Sequence, residues 1–170
     1  MTAILLPVRH DVKYDHSNVV IDQETYMSGI ICAIRGGPAS QPTIDYAVQL
    51  AKETDQEIGF LYVINIDFLD RTESSRVQTI SVEMEHMGEF ILLLACDGAK
   101  SQGIKAEGFV RHGNISDEII QLATEHDSKH VVLGSPRGDG SEDVFTQERL
   151  GSLREKIEEE TGAEVILLET

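Results

Sequence analysis

The residue types suited to holding a phosphate cluster between Gly134 and Ser152, where HVVLG opens into SPRGDGSEDVFTQERLGS. An apolar strand there gives way to a polar, glycine-marked stretch and then a helix. Glycine lets backbone approach an anion closely, and the first N–H groups of a helix have no internal partner. A second glycine pair, GGP at 36–38, ends another apolar run just before a helix. It serves equally as a plain strand-to-helix turn. Neither segment carries GxGxxG or GxxxxGK followed by Ser or Thr, so the dinucleotide and Walker readings fail.

Other reactive residue types carry less. His10 and His16, with Asp11 and Asp15 nearby, lie on an unpatterned stretch that offers no fixed convergence, so no metal site is expected. His126 and His130 are four apart, but one falls at a helix end and the other at a strand start. His112 reads as a turn residue that could approach a ligand from a strand end. Cys32 and Cys96 sit in apolar runs with no base beside them and read as packing. No Gly-x-Ser-x-Gly elbow is present, and no catalytic residue is assigned; the chain is expected not to be an enzyme.

The elements that must position these residues alternate. GIICAI at 29–34 is a strand apolar on both faces, and from Ser40 the apolar residues Ile44, Ala47, Val48 and Ala51 recur at helical spacing. EIGFLYVI at 57–64 is a second strand. A long helix follows from about Arg76, with Val77, Ile80, Met84, Met87, Ile91 and Leu94 as its buried stripe and its end at Gly98 or Gly103. Met84 and Met87 thus read as core. IKAEGFV at 104–110 is a third, weaker strand, and a short helix over Ile115–Ala123 takes Asn114 or Ser116 as its cap. HVVLG at 130–134, a helix from about Gln147 to Glu160 and EVILLE at 164–169 complete the pattern. Strand and helix in alternation, with strands apolar on both faces, specify an α/β domain with a parallel sheet covered on both sides. Residues 1–28 stand outside that pattern as an N-terminal extension to a domain at 29–170; LLPV at 5–8 and NVVI at 18–21 are candidates for short edge strands.

Composition narrows the function classes. At 170 residues and 41% hydrophobic, the chain can bury one core without disulfides or metal. Thirty acidic residues against fourteen basic ones leave a net charge of −16, which repels nucleic acid and anionic lipid. Neither nucleic acid nor membrane is expected as a partner. The cysteines form no CxxC pair, ILL at 4–6 is too short for a secretory core, and no run approaches a membrane span, so a cytoplasmic location is expected.

From about Ser28 to Glu169 the order of blocks resembles the universal stress protein family: IICAIRGGPAS before a helix, FLYV, VRHGNISDEIIQLA, VVLGSPRG, and LGSLREKI before VILLE. The resemblance implies an open five-stranded parallel sheet in the order 3-2-1-4-5 with helices on both faces. It also implies a homodimer through the last strand, here Val165–Leu168, and a role as a stress-associated binding or regulatory module. Part of that family binds ATP through Gly-x2-Gly-x9-Gly-Ser/Thr. The outer positions match Gly134 and the pair Gly151–Ser152; between them Arg137 stands where the second glycine would fall, Gly138 comes one position late, and Gly140 leaves ten residues before Gly151 rather than nine. Arg35 stands where the nucleotide-binding branch usually has an aspartate, and Val63 matches an apolar residue that can pack near adenine.

The resulting candidate set is Gly134, Arg137, Gly138, Gly151, Ser152, Arg35 and Val63, with ATP and magnesium as the candidate cofactors. Two readings follow. One is a binding or regulatory module without catalysis and with an unknown protein partner; the other is a switch in which ATP binds between the fourth strand and the last helix.

Overall fold

A computed structural model describes residues 9–10, 29–66, 74–134 and 147–168. In chain order the elements are β1 (Arg9–His10), β2 (Gly29–Ala33), α1 (Gln41–Thr54), β3 (Glu57–Ile64), α2 (Ser74–Ser101), β4 (Ala106–His112), α3 (Ile115–Glu125), β5 (His130–Gly134), α4 (Gln147–Thr161) and β6 (Glu164–Leu168). The strands pair in parallel in the order β1-β4-β3-β2-β5-β6. Without β1 this is the expected 3-2-1-4-5 sheet. Arg9 and His10 add a two-residue edge strand, Arg9 opposite Phe109 and His10 opposite Val110. The candidate strands at 5–8 and 18–21 lie outside the described residues.

Strand alternation sorts the apolar residues into two cores. Ile30 and Cys32 of β2 join Ala47, Val48 and Ala51 of α1 and Leu92, Ala95, Cys96 and Ala99 of α2 on one face. Ile31, from the same strand, joins Ile119, Leu122 and Ala123 of α3 and Ile157 of α4 on the other. Helices fall on opposite faces because β2→β3→β4 steps one way along the sheet and β4→β5→β6 steps back, and right-handed crossovers place opposite steps on opposite sides. That reversal leaves a crevice outside the carboxyl ends of β2 and β5.

Local chemistry sets the element ends. Asn114 caps α3, its side-chain oxygen accepting from the Ser116 N–H at 3.0 Å. The GGP turn after β2 uses φ of 82° at Gly36 and 76° at Gly37, and a Cβ on Gly36 would collide with Ile91 of α2. That turn therefore needs glycine for backbone reasons alone. At the far end of α4, Glu158 opposes the helix dipole but accepts hydrogen bonds from the Val165 N–H at 3.1 Å and from Arg154 at 2.9 Å, which hold its carboxyl below the usual range.

Two expectations are corrected. Strand β4 continues two residues past Val110, because β3 stays in register with it to Ile64 opposite His112; polar Arg111 is buried there rather than marking an end. On α2, Met84 and Ile91 pack against the core as expected, but Met87 and Leu94 do not: both are exposed, as is Phe90. The inward face instead runs through Gly88, Leu92, Ala95, Cys96 and Ala99, where Gly88 meets Tyr62 and Gly108 of β4 meets Leu92. Small residues dominate that face because the helix lies close on the sheet, which leaves the larger side chains on its flank.

Candidate functional site

The crevice is occupied by a cleft of about 570 Å3, counting the solvent at its mouth. Ala33 and Arg35 come from the end of β2, Leu61 and Val63 from β3, Leu133 and Gly134 from β5. Ile115 and Ile119 of α3 face Leu150 and Leu153 of α4 across it. The walls are apolar. Among the described lining residues Arg35 is the only ionisable side chain; it is exposed, and no described residue forms an ion pair with it.

The cleft brings together part of the candidate set. Arg35, Val63 and Gly134 line it directly. Gly151 and Ser152 lie between the two lining leucines of α4, inside the helix rather than before it, and Ser152 is exposed. Arg137 and Gly138 lie outside the described residues. The two matched glycines have different physical standing. At Gly134 a Cβ would come within 2.7 Å of the Thr43 Oγ1, so close packing of α1 already requires glycine there. At Gly151 a Cβ would meet nothing within 4 Å.

Glycine inside a helix costs about 1 kcal/mol relative to alanine, and no contact within the described chain recovers that cost at Gly151. Gly151→Ala should therefore raise stability by roughly 0.5–1 kcal/mol in urea unfolding. If close ligand approach needs the bare backbone, the same variant weakens ligand binding. Undiminished binding in that variant would remove Gly151 from the site.

The remaining reactive residues are accounted for by packing. Cys32 and Cys96 are both buried; burial pushes both thiols up, that of Cys96 to about 11, so neither is poised as a nucleophile. His126 packs against the Phe109 ring at 5.1 Å, whereas His130 meets Gln56 through Nδ1 at 3.0 Å, so the two histidines share no site. His112 is exposed and does not line the cleft. Among the described residues no group of three His, Cys, Asp or Glu side chains could hold a metal ion.

Sequence reasoning missed Leu61, Leu133, Ile115, Ile119, Leu150 and Leu153 as walls of the cleft. Nothing in their spacing separates them from core residues. It also missed the Arg111 cluster: the guanidinium, buried at 6% exposure, holds Glu125 at 2.6 Å and lies 4.0 Å from Glu118. Burial alone would push the Glu125 carboxyl up, but hydrogen bonds from Arg111 and Gln121 outweigh it and hold the group below its usual value.

A model of the universal stress protein family matches residues 27–168. A universal stress protein of Methanocaldococcus jannaschii is 23% identical over 155 residues, 91% of this chain and 87% of its own length. Among solved structures, a universal stress protein in complex with cAMP superposes with a TM-score of 0.57 at 19% identity, covering 85% of this chain and 98% of that one. The Archaeoglobus fulgidus universal stress protein in complex with dAMP does so with a TM-score of 0.52 at 16% identity, over 84% of this chain and 97% of that one.

Proposed function

We propose that this chain, which belongs to the universal stress protein family, is a regulatory binding module whose cleft takes a nucleoside monophosphate. The observation that carries the reading is the guanidinium of Arg35, the only ionisable side chain among the described residues of an apolar cleft at the carboxyl ends of β2, β3 and β5. A base fits the floor formed by Leu61, Val63, Ile119 and Leu133, where apolar walls supply most of the contact. The phosphate then meets Arg35, whose planar fork matches phosphate oxygens in pairs. Asp139, Glu142, Asp143 and Glu148, which the sequence places between β5 and the body of α4, disfavour a triphosphate unless magnesium accompanies it. Relatives of this fold crystallised with cAMP and with dAMP, each a mononucleotide, support the same size class.

The scope of the module follows from the same residues. Residues 29–170 form the binding domain and residues 1–28 an extension that lends Arg9–His10 to the sheet edge. Unpaired buried thiols suit a reducing cytoplasm, and no described helix is long and apolar enough to cross a membrane. A homodimer through β6 is supported by its position at the sheet edge, where it pairs with β5 alone among the described strands. Its own Ile166 and Leu168 are only partly buried, as is Leu50 of α1 on the same core, and Tyr46, one turn from Leu50, is 38% exposed. A strand edge next to an uncovered apolar face is a template for a second copy.

Native mass spectrometry of freshly purified protein tests both parts. The expected spectrum is a dimer that gains one nucleotide per subunit on addition of AMP or cAMP, confirmed by calorimetric titration. A chain that stays monomeric at micromolar concentration and physiological salt rejects the β6 dimer. Absence of saturable binding to any nucleoside monophosphate rejects the ligand class and leaves the family assignment standing.

A further inference from the structure

Helix α2 carries an apolar stripe on its solvent side that the cleft does not use. Met87, Phe90 and Leu94 are 58%, 61% and 56% exposed, and Val82 is 44% exposed. The positions 87, 90 and 94 follow i, i+3, i+7 and fall on one face of the helix. Side chains of this size are stabilised by full burial, so leaving three of them in line in water forgoes a substantial stabilisation. Gly98, one turn beyond Leu94, extends the same surface with open space where a Cβ would stand.

Charge at the two ends of the stripe decides what can cover it. Glu83 and Asp97 are exposed and lie seven residues before and after Phe90, two helical turns away on the same face. A second copy would bring like charges together in either symmetric arrangement. Antiparallel pairing centred on Phe90 sets Glu83 against Asp97 twice, and parallel pairing sets each against itself. A helix with apolar residues at the same spacing and Lys or Arg seven residues to either side of the central one meets both features at once.

We propose that the Met87–Phe90–Leu94 face of α2 docks a cationic amphipathic helix of a partner protein. This surface is independent of the nucleotide reading, since no residue of the stripe lines the cleft.

The test uses the full chain and a synthetic peptide of about 20 residues with leucines on one face and a lysine at each end of that face. A glutamate-for-lysine version serves as the control. The expected result is saturable micromolar binding of the lysine peptide, weakened at least ~10-fold by Phe90→Asp and to a similar degree by Glu83→Lys with Asp97→Lys. Leu94→Gln replaces Phe90→Asp if that variant fails to fold. Peptide should also protect Met87 from oxidation by hydrogen peroxide while the half-buried Met84 serves as the internal reference.

Equal binding of both peptides, or affinity unchanged by Phe90→Asp and Leu94→Gln, overturns the proposal. Self-association abolished by Phe90→Asp would assign the face to a second copy. Resistance of Met87 to oxidation in the monomeric chain without peptide would assign it to the chain's own residues.

Discussion

Arg35→Glu is expected to abolish measurable nucleoside monophosphate binding while leaving the fold intact. A charge-assisted hydrogen bond to phosphate is worth roughly 1.5–3 kcal/mol, and reversing the charge adds repulsion to that loss. About 3 kcal/mol corresponds to a factor of roughly 100 in the dissociation constant. Arg35 is exposed and pairs with no described residue, so the variant should unfold within about 0.5 kcal/mol of the parent. Arg35→Lys should keep part of the affinity, because an ammonium supplies the charge without the planar fork. Val63→Asp, placed on the apolar floor, should weaken binding by a different route, through the base rather than the phosphate. Calorimetric titration of AMP into each variant measures the effect. Undiminished affinity in Arg35→Glu would show that the phosphate sits elsewhere.

Arg111→Ala should be among the most destabilising substitutions outside the apolar core. The guanidinium is held at 2.6 Å by Glu125, and its loss leaves the Glu118 side chain, only 16% exposed, without that cation. Breaking a fully buried pair costs about 3–5 kcal/mol. Glu125 is 42% exposed and recovers some hydration, so about 2–3 kcal/mol is expected here. The pH dependence identifies the cause. The folded-state value of Glu125 lies below its unfolded value, so the stabilisation is complete above the ordinary carboxylate range and is lost as pH falls through the depressed value. Parent and variant stabilities should therefore differ most near neutrality and converge in acid. Urea unfolding at pH 7 and at about pH 3 makes the comparison. A gap that persists undiminished in acid would trace the loss to the packing of the arginine stem instead.

Much of the fold was legible because periodicity reports local geometry directly. GIICAI and EIGFLYVI are apolar at consecutive positions, which only a strand covered on both faces can use, and both proved to be central strands with one core on each side. Asn114 announced the start of α3 through a side chain that satisfies a backbone donor two residues on. The family blocks correctly placed the sheet order. Of the candidate residues, Arg35, Val63 and Gly134 line the cleft, because each lies at the end of a strand and the parallel sheet brings strand ends together.

The other walls of the cleft were not legible, since Leu133 and Leu153 look the same in sequence whether they face a cleft or a core. The Arg111 ion pair was not legible either, because nothing near Arg111 in sequence discloses that Glu125, fourteen residues on, will accept its charge.

What the sequence determined by itself is the α/β alternation, the parallel sheet, the acidic composition and the strand ends that come to line the cleft. These follow from spacing and composition, which depend on the residues alone. Only the tertiary structure decided which apolar side chains are buried. In α2 an apolar residue recurs every three or four positions on more than one side, and Met87 and Leu94 continue that pattern as well as Met84 and Ile91 do. Close contact with Tyr62 and β4 turned Gly88 and Leu92 inward and left Met87, Phe90 and Leu94 in solvent. Helical spacing states which residues share a face; which face meets the sheet depends on contacts between residues far apart in the chain.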